Sequence, residues 1–322
     1  MARPIKLFYA PSMAALAHSI SEQSRRIPGQ EIELGELEMP VWRNGWCHPI
    51  IKDINRFPDL DVAFLMSLDE EVDVSRQFSA ARWMAMKKPH TFQILMPWFP
   101  NGTMDRSDRE DDVCTAETLA SNFLLIPPVR GTVPVWVLDI HSLQEQNYFP
   151  ANNVSVRLST SMNMLQGEFT PEMGAVVLPD DGAEKRYKAH FYNREADRYL
   201  YDFIVCGKHR DGDKRHVRVT EGDPRKFERA VIIDDLTRTA GTLIKCKEAL
   251  QAINPNIKVS AHVAHGDFES REVVERIKAA GFERFYMTNS CPVKAGWVKD
   301  DPAFKILSID KLAVAAIRRG LD

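Results

Sequence analysis

Apolar runs of strand length recur along the chain with helix-length segments between them, and this alternation constrains the fold more than any other feature. The runs are IKLFYA (5–10), DVAFLM (61–66), FQILMP (92–97), VPVWVLD (133–139), AVVLP (175–179), FIVC (203–206), AVIID (230–234), VSAHVAH (259–265), RFYMTN (284–289) and FKILSI (304–309). Helical patterns occupy 15–26, 73–86, 112–123, 242–253, 270–280 and 310–319. Strands separated by helices build a mainly parallel sheet covered on both faces. These runs exceed one small sheet, so the expectation is α/β with two domains, 1–155 and 156–308, each a mainly parallel sheet flanked by helices. PANNVSVRLSTS (150–161) is polar enough to read as the crossover, and the last helix, within 309–322, is expected to pack back on the first domain.

Composition narrows the function classes. The 322 residues, 44% hydrophobic and 27% charged, are enough for two real cores. A net charge of −3 without a long basic run argues against nucleic acid as a partner. No apolar stretch approaches the roughly 20 residues needed to cross a bilayer. MARPIKLFYA enters a strand-like run without a signal-peptide pattern. Cys47, Cys114, Cys206, Cys246 and Cys291 are scattered, with no CxxC, and read as reduced thiols. A cytoplasmic globular protein is expected, with neither nucleic acid nor membrane as partner.

The most informative stretch is VIIDDLTRTAGTL (231–243). A strand buried on both faces runs into two aspartates, then a turn of small and hydroxylated residues, then a helix. Such a turn points backbone N–H groups into a concavity at a helix N-terminus, which suits a phosphate. Adjacent carboxylates repel unless something bridges them, such as sugar hydroxyls or Mg²⁺. The competing reading is an ordinary strand–helix turn with an N-cap threonine.

This stretch resembles the diphosphoribose-binding motif of the phosphoribosyl family, and most closely that of the ribose-phosphate diphosphokinases, or phosphoribosyl pyrophosphate synthetases. Four more stretches share the resemblance in the family's order. WVLDIHSLQ (136–144) is similar to its D-L-H-x-x-Q segment, LPDDGAEKR (178–186) to P-D-x-G, CGKHR (206–210) to the K-x-R pair of a flexible loop, and MPWFPNGTMDRSDRED (96–111) to a nucleotide segment. The wording is closest to the plant-type, phosphate-independent class. The resemblance implies phosphoribosyltransferase-like domains and transfer of the β,γ-diphosphate of Mg-ATP to the anomeric hydroxyl of ribose 5-phosphate, releasing AMP.

Roles follow from the same resemblance. Asp234 and Asp235 would hold the ribose hydroxyls, and Arg238, Thr239, Ala240, Gly241 and Thr242 the 5-phosphate. His141 and Asp180 would serve the Mg²⁺–ATP site, with Asp105 and Arg106 near the nucleotide. Lys208 and Arg210 would close over the reacting phosphates as part of a mobile loop; the bland alternative for HRDGDKRHVR is a solvated charge run. VWRNGW (41–46) matches the family's F-x-D-G segment, which puts Trp42 and Asn44 at the adenine. Trp42 as plain core competes with that reading. In this family the segment reaches a neighbouring subunit, so the match implies a homo-oligomer, a dimer or higher. AHGDF (264–268) is similar to the family's T-H-x-x-F, and His262 and His265 read as core or site-lining residues rather than zinc ligands.

Departures matter as well. Thr103 and Met104 precede Asp105 where the family carries Arg-Gln, and Arg238 and Ala240 replace the phosphate loop's usual acidic residue and glycine. A cation in that loop raises an alternative acceptor, a 5-substituted ribose phosphate such as ADP-ribose, which would belong to NAD metabolism. A second alternative is a non-catalytic nucleotide-binding regulatory relative. An uninterrupted catalytic stretch favours an active enzyme.

Overall fold

The computed structural model describes residues 3–29, 31–68, 71–107, 109–211 and 214–321, and the side chains of all of these except 71–73 and 208–216. Two compact units divide the chain, one of residues 1–159, 290–292 and 308–322, the other of 160–289 and 293–307.

The first unit contains β1 (Ile5–Tyr9), β2 (Ile32–Leu34), the small hairpin β3 (Leu37–Glu38) and β4 (Ile50–Ile51), β5 (Asp61–Leu65), β6 (Thr91–Leu95), β7 (Val133–Leu138) and β8 (Val154–Ser159). Its sheet has the order β2-β1-β5-β6-β7-β8 and every pairing is parallel. Alternate residues of a strand face opposite sides. Thus Phe8, Val62, Phe64, Phe92, Ile94, Val135 and Val137 enter one buried cluster, joined by Phe78 of helix α2 (Glu71–Met86) and Ala116, Leu119 and Ala120 of helix α3 (Thr115–Ser121). Helix α1 (Ala14–Arg25) also belongs to this unit.

β8 corrects an expectation. Residues 150–161 are not a crossover throughout, because Val154–Ser159 pairs in parallel with β7 from Val133↔Val154 to Leu138↔Ser159. The apolar alternation Val154, Val156, Leu158 carries this strand, and the polar residues between them satisfy the other face.

The second unit contains β9 (Ala175–Leu178), the short hairpin β10 (Tyr192–Asn193) and β11 (Arg198–Tyr199), β12 (Phe203–Asp211), β13 (Lys214–Glu221), β14 (Arg229–Thr237), β15 (Lys258–Gly266), β16 (Phe285–Thr288) and β17 (Phe304–Leu307). Its sheet order is β13-β12-β9-β14-β15-β16-β17, parallel except for the antiparallel pair β12–β13. Ala230 and Ile232 of β14 enter one core with Ala175 and Val177, while Val231 and Ile233 enter another with Val176 and Leu178. Both faces are apolar, which is why these strands read as continuous hydrophobic runs. Each fully buried branched side chain contributes about 1.5–3 kcal/mol.

The helices of this unit are α4 (Met162–Gln166), α5 (Asp181–Tyr187), α6 (Gly241–Ile253), α7 (Arg271–Ala279) and α8 (Pro292–Val298). α6 buries Leu243, Cys246, Lys247 and Leu250, spaced three, four and seven residues apart, which is one helical stripe. The final helix, α9 (Asp310–Arg319), returns to the first unit. There Ser19 Oγ donates to Asp310 Oδ2 at 2.6 Å, and Gln93 Nε2 donates to the Ile317 carbonyl at 2.8 Å.

Candidate active site

β14 delivers the two aspartates and the turn. Asp235 is buried and Asp234 half-buried, and the Asp235 N–H donates to Asp234 Oδ1 at 3.1 Å. Burial, first, and then the neighbouring carboxylates of Asp235 and Asp180 hold the Asp234 carboxyl well above the usual range. The sequence brings three acidic side chains into one field, an arrangement that becomes favourable when a cation or sugar hydroxyls engage them.

The turn is built differently from an ordinary capped helix start. Ala240, buried, stands at the N-cap of α6 in the left-handed region, with φ 60°. That conformation costs an L-residue roughly 1–2 kcal/mol. The threonines act inside the turn: the Ala240 N–H donates to Thr237 Oγ1 at 3.0 Å and the Gly241 N–H to Thr239 Oγ1 at 3.4 Å. Thr242 lies in the first helical turn. The carbonyls of Arg238 and Thr239 accept bonds from the Glu269 N–H and from Arg276 Nη1, both at 3.1 Å. In a trans peptide the C=O and the following N–H point opposite ways. Pinning the Arg238 carbonyl toward Glu269 therefore turns the N–H of Thr239 to the other side, at a helix N-terminus where the dipole favours an anion.

The Arg238 side chain is turned to acids. Its Nε lies 3.7 Å from Asp267 Oδ2 and 3.8 Å from Glu269 Oε1. The cation that departs from the family pattern is thus balanced within the protein.

Asp180 is the N-cap of α5, and its Oδ1 accepts from the Ala183 N–H at 3.0 Å. Among the described residues no three His, Cys, Asp or Glu side chains gather into a metal cage. Mg²⁺ bound mainly through substrate phosphates and water asks for only one or two carboxylates. Asp180, beside the Asp234–Asp235 pair, fits that requirement.

Lys208 and Arg210 lie on β12, in register with Val217 and Arg215 of β13; their side chains lie outside the described ones. Along the backbone, 203–211 and 214–221 are antiparallel paired strands. Val217 and Val219 alternate along β13 and pack on the core cluster, which anchors its described half. Such a strand signal is hard to read inside a polar run.

The residues expected on the nucleotide side lie in the first unit. Gly102 sits so close to His141 that a methyl on it would come 2.7 Å from the His141 Cβ. The Tyr148 hydroxyl donates to the Asp105 carbonyl, and Glu145 Oε1 accepts from the Ser142 N–H at 2.7 Å in a capping box. Asp105 and His141 thus belong to two segments packed together, 102–105 and 141–148, and Arg106 follows them, exposed. Trp42 and Asn44 occupy a separate small hairpin closed by the Val41–Cys47 bridge. Asn44 Oδ1 accepts from the Trp46 N–H at 3.2 Å, and the Trp42 ring rests on His48 with centroids 5.5 Å apart. Trp42 is 59% exposed and Trp46 72%, so Trp42 is not core. His262 and His265 are fully buried, with His262 Nε2 and Ser161 Oγ 3.0 Å apart, as expected of core residues.

Asp267, Glu269, Arg276, Gly102 and Tyr148 have no assigned role in the sequence reading. Only Ser142–Glu145 carried a local signal, the S-x-x-E spacing of a capping box. The others act across long sequence separations.

Comparison with known proteins now adds to this geometry. No family profile matches the chain. Ribose-phosphate pyrophosphokinase 3, mitochondrial, of Spinacia oleracea is 33% identical over 98% of the chain and 77% of its own length. Ribose-phosphate pyrophosphokinase 4 of Arabidopsis thaliana is 34% identical over 95% of the chain and 90% of its own length. The crystal structure of phosphoribosylpyrophosphate synthetase from Mycobacterium smegmatis superposes with a TM-score of 0.78 at 19% identity, covering 98% of both chains, and so shares the fold. With relatives of that identity along nearly its whole length, the chain belongs to the ribose-phosphate pyrophosphokinase family of enzymes.

Proposed function

We propose that this protein transfers the β,γ-diphosphate of Mg-ATP to the anomeric hydroxyl of ribose 5-phosphate, giving phosphoribosyl pyrophosphate and AMP. The observation that carries the reading is the β14–α6 turn, where two aspartates precede a helix N-terminus whose Thr239 amide is aimed by the pinned Arg238 carbonyl. Ribose hydroxyls suit Asp234 and Asp235, and the 5-phosphate suits the turn of Arg238, Thr239, Ala240, Gly241 and Thr242. The anomeric hydroxyl oxygen attacks the β-phosphorus and releases its proton to solvent, the bond from that phosphorus to the α-phosphate oxygen breaks, and AMP leaves with the electron pair. Such a displacement depends on positioning and charge neutralisation more than on covalent catalysis.

Asp180 would hold Mg²⁺, which supplies positive charge to the phosphates; His141 is assigned separately, to the nucleotide and its Mg²⁺. Lys208 and Arg210 are assigned to the charge that develops on the transferred group. Asp105, Arg106, Trp42 and Asn44 are assigned to ATP. Arg238, already balanced by Asp267 and Glu269, favours ribose 5-phosphate over an acceptor carrying a second phosphate. The exposed Trp42–Trp46 hairpin supports a homo-oligomer in which a second copy covers it. Five free cysteines suit a reducing compartment such as the cytoplasm; among the described residues no helix is long and apolar enough to cross a membrane.

The test is AMP release from ATP and Mg²⁺ with ribose 5-phosphate, with ADP-ribose and without acceptor. Release with ribose 5-phosphate alone is expected. Release mainly with ADP-ribose, or none that depends on an acceptor, overturns the reading.

A further inference from the structure

We infer that Asp267 is the positioning residue of the phosphate turn, a carboxylate that ties two cations from different elements and so fixes the shape the turn offers a phosphate; this rests on the reading of that turn as the ribose 5-phosphate site. Asp267 uses both oxygens. Oδ1 lies 3.3 Å from Lys294 Nζ on α8, and Oδ2 lies 3.7 Å from Arg238 Nε in the turn. The side chains of Asp267 and Lys294 are each only 18% exposed, so this pair is screened less than one on the open surface.

The position of Asp267 explains its leverage. It follows β15 directly, and two residues later the Glu269 N–H holds the Arg238 carbonyl. The same short segment therefore grips Arg238 by backbone and by side chain. Arg276 of α7 grips the next carbonyl, that of Thr239. Removing the Asp267 charge leaves Arg238 and Lys294 as two neighbouring cations without the carboxylate between them. Arg238 then shifts toward Glu269, and the amide of Thr239 loses its fixed aim. A pocket that binds by preorganised N–H groups loses affinity when their direction is no longer fixed. Asp267 touches neither substrate in this account; it acts through Arg238.

The test is the kinetics of Asp267→Asn and Asp267→Glu beside wild type. For Asp267→Asn the KM for ribose 5-phosphate is expected to rise about tenfold, while kcat and the KM for ATP stay within about threefold. Asp267→Glu, which keeps the charge, is expected to recover most of the loss. Arg238→Gln should give the same split, and the double variant should add little to either single change, because both break one contact. An unchanged KM for ribose 5-phosphate, an equal rise in both KM values, or full additivity overturns the inference. Calorimetric titration with inorganic phosphate separates this from the parent reading. If wild type releases no AMP with ribose 5-phosphate, the parent reading fails. Asp267→Asn binding inorganic phosphate as tightly as wild type overturns the role of Asp267 independently of turnover.

Discussion

Gly102 and His141 are in contact at a distance only glycine permits. A Cβ at 102 would lie 2.7 Å from the His141 Cβ and 3.2 Å from Glu145 Oε2. Both neighbours are fixed: Glu145 is fully buried and holds the Ser142 N–H, and His141 immediately precedes that capping box. Gly102→Ala therefore forces 102–105 away from 141–148. The expected result is a rise in the KM for ATP of about tenfold, with the KM for ribose 5-phosphate within about threefold, and a stability loss of roughly 1–3 kcal/mol from overpacking. Steady-state kinetics and thermal melting measure the two effects. An unchanged KM for ATP would remove this contact from the nucleotide site.

Lys208 stands on a strand whose pairing does not depend on its side chain, since the β12–β13 ladder joins backbone groups. Lys208→Ala should fold with an unchanged melting temperature and lower kcat about 100-fold. ATP affinity, measured by calorimetry without acceptor, should stay within about threefold, because a contact made mainly in the transition state contributes little to ground-state binding. A loss of affinity equal to the loss in turnover would make Lys208 a binding group instead.

What was legible in the sequence follows from how local each signal is. β14 and α6 could be read because Val231, Ile232 and Ile233 are consecutive and Leu243, Cys246 and Leu250 keep one helical spacing. β8 escaped because Ser155, Arg157 and Ser159 on an otherwise alternating strand make the average look polar. β13 and the extension of β12 beyond Cys206 escaped for the same reason, with charges masking Val217 and Val219. Within the site, Asp234 and Asp235 announce themselves by adjacency. Asp267 does not, since its partners Arg238 and Lys294 lie 29 and 27 residues away and only the packing of the strand ends brings them together. Ala240 could not be read as left-handed either, because alanine normally avoids that region and the surrounding turn imposes it.

Asp180 has two separable duties, capping α5 and presenting a carboxylate beside the Asp234–Asp235 pair. Asparagine caps a helix about as well as aspartate. Asp180→Asn should therefore melt within about 1–2 °C of wild type while the Mg²⁺ needed for half-maximal activity rises at least about tenfold. Asp180→Ala should lose the cap as well, costing about 1 kcal/mol, or roughly 2–4 °C for a unit of this size. Equal Mg²⁺ requirements for wild type and Asp180→Asn would take Asp180 out of the metal site.

Asp234 makes the ligand-free protein less stable than its fold allows. In the unfolded chain its carboxyl titrates near the ordinary 3.8; in the folded protein burial and the charges of Asp235 and Asp180 raise that value well above it. Between the two values the folded state retains a proton that the unfolded chain has lost, so stability falls as pH rises through this window. Above the folded value the penalty is complete and constant. Asp234→Asn removes the ionisation and keeps a side chain of the same size. Its melting temperature should match wild type below pH 3.8 and exceed it by a margin that grows as pH rises through the window. If Asp234 holds the ribose hydroxyls as proposed, the same variant should lose acceptor binding. Melting curves across pH, with calorimetry of ribose 5-phosphate, test both halves. A variant less stable than wild type at neutral pH would show that Asp234 is compensated in the free protein, and that the carboxylate pair needs no ligand to be tolerated.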